Sequence, residues 1–257
     1  KKIIHIDMMP AEVDAHYILE AGVIGDIGDT LDAISELATP QKEFNADGLR
    51  ETIVSEFNGF ENDQSFPLKP QKIISDLHKV LKPEDIVVSD VGAHKMWMAR
   101  MFQCERPNTC IISNGFASMG IGVPGAIAAK IAFPEKTALT VTGDAGFMMN
   151  SQEIETALRI GAPIIILVWT DSEYGLIKWH QMRQYGRESH IKFNNPDFVM
   201  YAKSMGAKGY RVESSDDLIP TLEKAIADNT VVIIDCPVDY SENMKLTEKL
   251  GNLVCPI

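Results

Sequence analysis

The stretch LTVTGDAGFMMNSQEIETALRIGAPIIILVWTDSEYG, residues 139–175, holds two short apolar runs, each ending on an acidic residue, with a helical pattern between them. The runs LTVTGD and PIIILVWTD are almost wholly apolar. Strands of that kind, separated by an amphipathic helix, belong to a parallel sheet covered on both faces. One helix and one strand form the minimal right-handed crossover, which brings the chain back to the same rim. Asp144 and Asp171, 171 − 144 = 27 positions apart, therefore end strands on one rim, and their side chains can meet.

The same alternation extends outward from Pro67. Helix KPQKIISDLHKVL precedes strand DIVVSD, helix HKMWMARMF precedes TCIIS, and helix FASMGIGVPGAIAAKIAF precedes TALTVTGD. Helix NSQEIETALRI leads to PIIILVWTD and helix YGLIKWHQM follows. Helix PDFVMYAKSM then precedes strand KGYRVE, and helix DDLIPTLEKAIAD precedes TVVIIDCP. Residues 67–257 thus read as a doubly wound α/β domain with a six-stranded parallel sheet. Upstream, KKIIHID and AGVIGDIG read as strands and DTLDAISEL as a helix with Asp29 as N-cap. Roughly 37 residues cannot bury a core alone, so residues 1–38 are expected to be the tail of a second α/β domain. Residues 39–66 turn polar, with a helix in ADGLRETIVSEF, and read as an interdomain connection. A chain that opens on Lys1 in a strand is expected to continue from something longer.

Composition excludes several functions. The chain has 257 residues, 45% of them hydrophobic, and a net charge of −12 from 24 basic and 36 acidic residues. That balance argues against a nucleic-acid surface, which needs a basic stripe. Cys104, Cys110, Cys236 and Cys255 show neither CxxC pairing nor zinc spacing, so a reduced, cytoplasmic protein is expected. No apolar run has the ~18 residues of a membrane span.

In an open parallel sheet, ligands sit at the carboxyl ends of strands, near a switch in strand order. The four tightest exits are SDVGAH (89–94), SNGFASMG (113–120), GDAGF (143–147) and TDSEYG (170–175). Two carboxylates in such a crevice repel each other unless a proton or cation lies between them. Magnesium suits one or two carboxylates combined with phosphate oxygens. Gly143 and Gly146 would let the backbone approach a phosphate, with a helix from about Met149 directing its N–H groups there. Each motif alone has a plainer reading: Gly-Asp as a tight bend, and Asp171 as the cap of a helix near Tyr174.

GDAGF and TDSEYG together resemble the thiamine-diphosphate motif, Gly-Asp-Gly followed by Asn or Asp about 27 residues on. SDVGAHKMWMAR, ISNGFASMGIGVPGAIAA, QEIETALRIGAPI, MGAKGYRVES, IIDCPVDYSEN and HIDMMPAEVDAHY resemble acetolactate synthases, especially the catabolic, flavin-independent branch. The resemblance implies thiamine diphosphate and Mg2+ as cofactors. It makes Asp144, Asp171 and the main-chain carbonyl of Glu173 the metal ligands. Ala93 and His94 fall where the family contacts the diphosphate; many relatives have Gln at the position of Ala93. Gly115, Ala117 and Met119 match the loop beside the aminopyrimidine, and Gly143, Ala145, Gly146, Gly175 and Leu176 match other cofactor-facing positions. His180 falls where the family lines the substrate pocket, with a residue type that differs from relatives. Ala145 replaces the middle glycine, Thr170 the usual first Asn, and Asp171 the usual Asn.

The implied reaction is decarboxylative condensation of two pyruvates to 2-acetolactate, in a homodimer or homotetramer. The family's activating glutamate belongs to an N-terminal domain that precedes residue 1, so this chain would hold half of each site and be inactive alone. A pyruvate oxidase or another carboligase would share the cradle, and a non-catalytic assembly module would keep the fold.

Overall fold

The computed structural model describes residues 2–10, 18–39, 48, 51, 55 and 59–246. The chain divides into two compact units, residues 1–50 with 250–257, and residues 51–249. The expected helix over residues 46–57 falls largely outside the described residues; Gly48, Glu51 and Ser55 are helical.

In the first unit, β1 (Ile3–Asp7) pairs in parallel with β2 (Leu19–Ile24). Helix α1 (Ile27–Leu37) starts three residues earlier than expected, because Asp26 supplies the N-cap instead of Asp29: its carboxylate accepts the Asp29 N–H at 3.1 Å. Ile27, Leu31 and Ile34 lie on one helix face and are all about half exposed, so this unit leaves an apolar stripe uncovered.

The second unit carries a six-stranded sheet in the order β4-β3-β5-β6-β8-β7. Its strands are β3 (Ile86–Ser89), β4 (Cys110–Ile112), β5 (Ala138–Gly143), β6 (Ile165–Thr170), β7 (Lys208–Arg211) and β8 (Val232–Pro237). Every pairing is parallel, as the apolar runs imply. The helices are α2 (Pro70–Val80), α3 (Ala93–Met101), α4 (Gly122–Ala132), α5 (Asp144–Met149), α6 (Glu153–Arg159), α7 (Gly175–Tyr185), α8 (Phe198–Ser204) and α9 (Leu218–Asp228). Alternate strand residues serve opposite faces. Val88, Ile166, Val168 and Ile233 join Ala126, Ile154, Ala157 and Phe198 of α4, α6 and α8 in one core. Val87, Leu139, Leu167 and Ile234 are fully buried beneath the other face.

Strand β3 has β4 on one side and β5 on the other, so the chain reverses direction across the sheet at β3 and opens a crevice there. Helix α4 begins six residues later than its apolar run suggests. Ala117 and Gly120 have φ of 52° and 86°, which no helix tolerates. From Gly122 onward α4 lies hard against the sheet: a Cβ there would stand 2.5 Å from Thr140 Oγ1, and one at Gly125 would stand 2.8 Å from Val88 Cγ1. The helix expected from about Met149 instead begins at Asp144 and splits into α5 and α6.

Candidate functional site

All four strand exits converge on one cavity of about 220 Å³. Ala93 and His94 enter it from β3, Ala117 and Met119 from the loop after β4, and Gly143, Asp144, Ala145 and Gly146 from β5. The β6 exit adds Asp171, Glu173, Gly175 and Leu176. Two expected residues do not reach it. Gly115 is exposed on the outer part of its loop, next to Phe116, which is 95% exposed. His180 lies one turn beyond Leu176 on the same face of α7, exposed and past the cavity wall. It is Trp179, buried on the adjoining face, that lines a neighbouring cavity.

Asp90 organises the rim. It is fully buried, and its carboxylate accepts the N–H groups of Val91 (2.6 Å), Gly120 (2.9 Å) and Gly122 (3.2 Å) and the Thr142 hydroxyl (3.2 Å). One side chain thereby holds the exits of β3, β4 and β5 together. The sequence does signal it, since DIVVSD is another apolar strand that ends on an acid.

His94 is only 2% exposed, with its ring edge-on to Trp169 at 6.3 Å between centroids. Burial pushes its pKa down to about 4, against the opposing pull of the Asp90 charge and carbonyl, so the imidazole is neutral at pH 7. Its Nε2 is buried without a partner. A solvated or capping histidine would not leave a buried ring nitrogen open to a ligand.

Asp144 reaches across to the backbone of the loop that carries Asp171. Asp144 Oδ2 accepts the N–H of Asp171 at 3.2 Å and of Ser172 at 2.7 Å. It also accepts the Asn195 amide at 2.7 Å, whereas Oδ1 receives only the Ala145 N–H at 2.9 Å. Neither acid caps its helix: no side-chain bond caps α5 or α7. Burial raises the pKa of Asp144 above the usual carboxylate range, opposed by its four donors. Burial and then the Asp144 charge push Asp171 up to about 7, opposed by the Glu173 N–H and by Lys178. Among the described residues no Lys, Arg or His forms an ion pair with either acid. Lys178 pairs instead with Glu173 at 2.6 Å and Glu188 at 3.3 Å.

A buried and a partly buried carboxylate that repel each other, with no ion-pair partner among the described residues, are chemically suited to a hard divalent ion. The Glu173 side chain is turned toward Lys178 and Lys192, so among the described residues no third acidic, His or Cys side chain completes a cluster. The Glu173 carbonyl accepts the Gly175 N–H at 2.9 Å and retains a second lone pair. An anion is also accommodated. The first turns of α3 and α7 abut so closely that a Cβ on Gly175 would stand 3.3 Å from that of Ala93 and 3.5 Å from Asp171 Oδ2. Helix starts attract anions through their main-chain N–H groups, and both helices begin at residues that line the cavity. Thr170 turns away, its hydroxyl donating to Asp235 at 2.6 Å.

Three aromatic residues of the lining escaped the sequence reading. Trp169 forms part of the wall; Tyr240, beyond β8, packs 6.2 Å from it, and Tyr174 borders the mouth. The Tyr240 hydroxyl is held well above its ordinary pKa by burial and by the charges of Asp171 and Asp144. Asn195 escaped too, since its bond to Asp144 spans 51 positions.

Residues 90–236 match the family described as thiamine pyrophosphate enzyme, C-terminal TPP binding domain. The chain is 36% identical to the acetolactate synthase of Bacillus subtilis (strain 168) over 99% of its own length and 46% of that protein's. It is 32% identical to the catabolic acetolactate synthase of Raoultella terrigena, covering 96% of this chain and 45% of the relative. It is 34% identical to a probable acetolactate synthase large subunit of Methanocaldococcus jannaschii, covering 100% and 46%. The chain therefore spans about half the length of the curated relatives it matches. With its parallel sheet, its four converging strand exits and this match over residues 90–236, the chain belongs to the thiamine pyrophosphate enzymes and carries their C-terminal TPP binding domain.

Proposed function

We propose that this chain grips the diphosphate end of thiamine diphosphate through a Mg2+ ion, as one half of an acetolactate synthase active site. The observation that carries this reading is the pair of carboxylates Asp144, buried, and Asp171, partly buried, neither ion-paired among the described residues, beside two helix N-termini. Asp144, through its less occupied Oδ1, Asp171 and the Glu173 carbonyl would hold the ion. The main-chain N–H groups at the starts of α3 and α7 would face the phosphates.

Thiamine diphosphate, when bound, would supply carbanion chemistry at a 2-keto acid with loss of carbon dioxide. The chain's own residues bind, orient and exclude water. Met119 and Ala117 form an apolar wall, and Trp169 and Tyr240 close the floor against solvent. His94, neutral and with an open ring nitrogen, offers a hydrogen bond without adding charge. The donor and acceptor would both be pyruvate and the product 2-acetolactate, as the names of the relatives suggest.

Exposed apolar residues border the cavity: Ile177 (52% exposed) and Tyr174 (38%) line it, and Phe116 lies in the loop that brings Ala117 and Met119 to it. Such a rim suits coverage by another protein surface. We assign that surface to the N-terminal domain of a partner copy in a homodimer or homotetramer, which would bring the activating glutamate. Residues 1–38 would then be the end of a central domain and residues 39–66 its connection to the cofactor-binding domain, residues 67–257.

Calorimetric titration of thiamine diphosphate into the protein tests this reading. Binding is expected with Mg2+ and is expected to vanish in EDTA; absent or EDTA-insensitive binding refutes the cradle. Formation of 2-acetolactate from pyruvate is expected only when the N-terminal half is supplied, and turnover by the 257-residue chain alone would overturn the half-site assignment.

A further inference from the structure

We propose that Asn195 is a positioning residue for the cation site, fixing the Asp144 carboxylate from a strap that crosses the site loop. The inference rests on the Mg2+ reading above and deepens it. Residues 189–195 connect α7 to α8 and run antiparallel to the loop after β6. Tyr174 N–H donates to the Ile191 carbonyl at 2.8 Å, and Phe193 N–H to the Ser172 carbonyl at 3.1 Å. The rings of Tyr174 and Phe193 pack at 4.9 Å, and Lys192 reaches Glu173 at 3.7 Å. The loop thus held includes Ser172, whose φ of 59° an unbraced serine rarely keeps.

At the end of the strap, Asn195 Nδ2 donates to Asp144 Oδ2 at 2.7 Å and to Ser172 Oγ at 3.1 Å. Its backbone is braced on the far side: Pro196 follows, and Asp197 caps α8 by accepting the Met200 N–H at 2.9 Å. With Asp171 N–H and Ser172 N–H also on Oδ2, that oxygen carries three donors and Oδ1 only one. The carboxylate cannot rotate without breaking all of them, so Oδ1 is the oxygen left with a lone pair to give.

The residue type suits the task. A Lys or Arg would neutralise the acids and compete with a cation, while an Asp would add a third repelling charge. An amide donates and stays neutral. Its orientation is dictated by the same contact, since turning Oδ1 toward Asp144 would set two acceptors face to face. Asn195 Oδ1 is then left buried without a protein partner.

The test is Mg2+ titration at fixed thiamine diphosphate in wild type, Asn195→Ala and Ser172→Ala, with each variant's thermal midpoint recorded. Outer groups that orient a metal ligand typically govern ~10–100-fold in metal affinity. Asn195→Ala is expected to weaken Mg2+ about 10-fold, with cofactor affinity restored when Mg2+ is saturating. Ser172→Ala, which removes only the amide's second acceptor, is expected to weaken it about 2–3-fold, and carries the test if Asn195→Ala does not fold. Wild type lacking Mg2+-dependent binding would sink the proposed function and the clamp together. Normal wild type with unchanged variants would overturn the clamp alone, as would a cofactor loss that saturating Mg2+ does not restore.

Discussion

Replacing Asp171 by Asn removes one of two facing acids while keeping an oxygen for the Glu173 N–H, now accepted at 3.2 Å. In the metal-free protein the Asp171 carboxyl is pushed up to about 7 from the ordinary 3.8, chiefly by burial and then by Asp144. The unfolded chain therefore releases this proton first as pH rises, and the folded state retains it. The sign follows: stability is greatest below about pH 4 and is lost as pH climbs toward about 7. At ~1.4 kcal/mol per pH unit over ~3 units the ceiling is ~4 kcal/mol. Asp171 is only partly buried, so solvent screening brings this to ~2 kcal/mol. Asp171→Asn should accordingly stabilise the metal-free protein by ~2 kcal/mol at pH 8 and by almost nothing at pH 4. The assay is urea unfolding in EDTA, followed by tryptophan fluorescence; Trp97, Trp169 and Trp179 all lie in the second unit and report on it. With a denaturant slope of ~2 kcal/mol per molar, the pH 8 midpoint should rise by roughly 1 M. A lower midpoint at pH 8, or an equal displacement at both pH values, would refute the idea that ionised Asp171, desolvated and beside Asp144, destabilises the metal-free protein.

Asp144→Asn keeps the shape but lacks the charge, and should abolish Mg2+-dependent binding of thiamine diphosphate in calorimetry; unchanged affinity would remove Asp144 from the ligand set. Gly122→Ala places a Cβ 2.5 Å from Thr140 Oγ1 and 3.1 Å from Asp90. It should cost ~1–3 kcal/mol in urea unfolding, and a neutral result would show that α4 can lift off the sheet. Asp90→Asn sets an amide N–H against the N–H groups of Gly120 and Gly122, and should cost ~2–3 kcal/mol. Hydrogen exchange at those two amides should accelerate, and protection as in wild type would mean the carboxylate is not what holds the Met119 loop.

The sheet was legible because its strands are nearly continuous apolar runs, and burial on both faces leaves few other ways to place them. Acid-ended strands pointed to the rim, yet one signal covered different roles. Asp90 spends its oxygens on backbone N–H groups and the Thr142 hydroxyl, whereas the Asp144 charge acts on Asp171. What escaped was whatever depends on conformation or on distant contact. Residues 116–121 look helical by composition, but a left-handed Ala117 and Gly120 turn them into the loop that carries Met119 to the cavity. Tyr240 reaches the site from beyond β8, and Asn195 across 51 positions, and no periodicity encodes either. His180 was placed by resemblance alone, and in this fold it is exposed and does not line the cavity.

Every strand exit that builds the cavity lies at one end of the sheet, and β5, β6 and β8 are each six residues long. At ~3.3 Å per residue, the turns at the opposite end lie roughly 20 Å away. Two of them, at Gly161 and Asn229, are exposed, left-handed positions. A fluorophore carried on a cysteine at position 229 would therefore ride outside the chemistry while reporting on the sheet. Cys104, exposed, is the background thiol to replace first, since burial pushes the Cys110 thiol up to about 12 and the Cys236 thiol up as well.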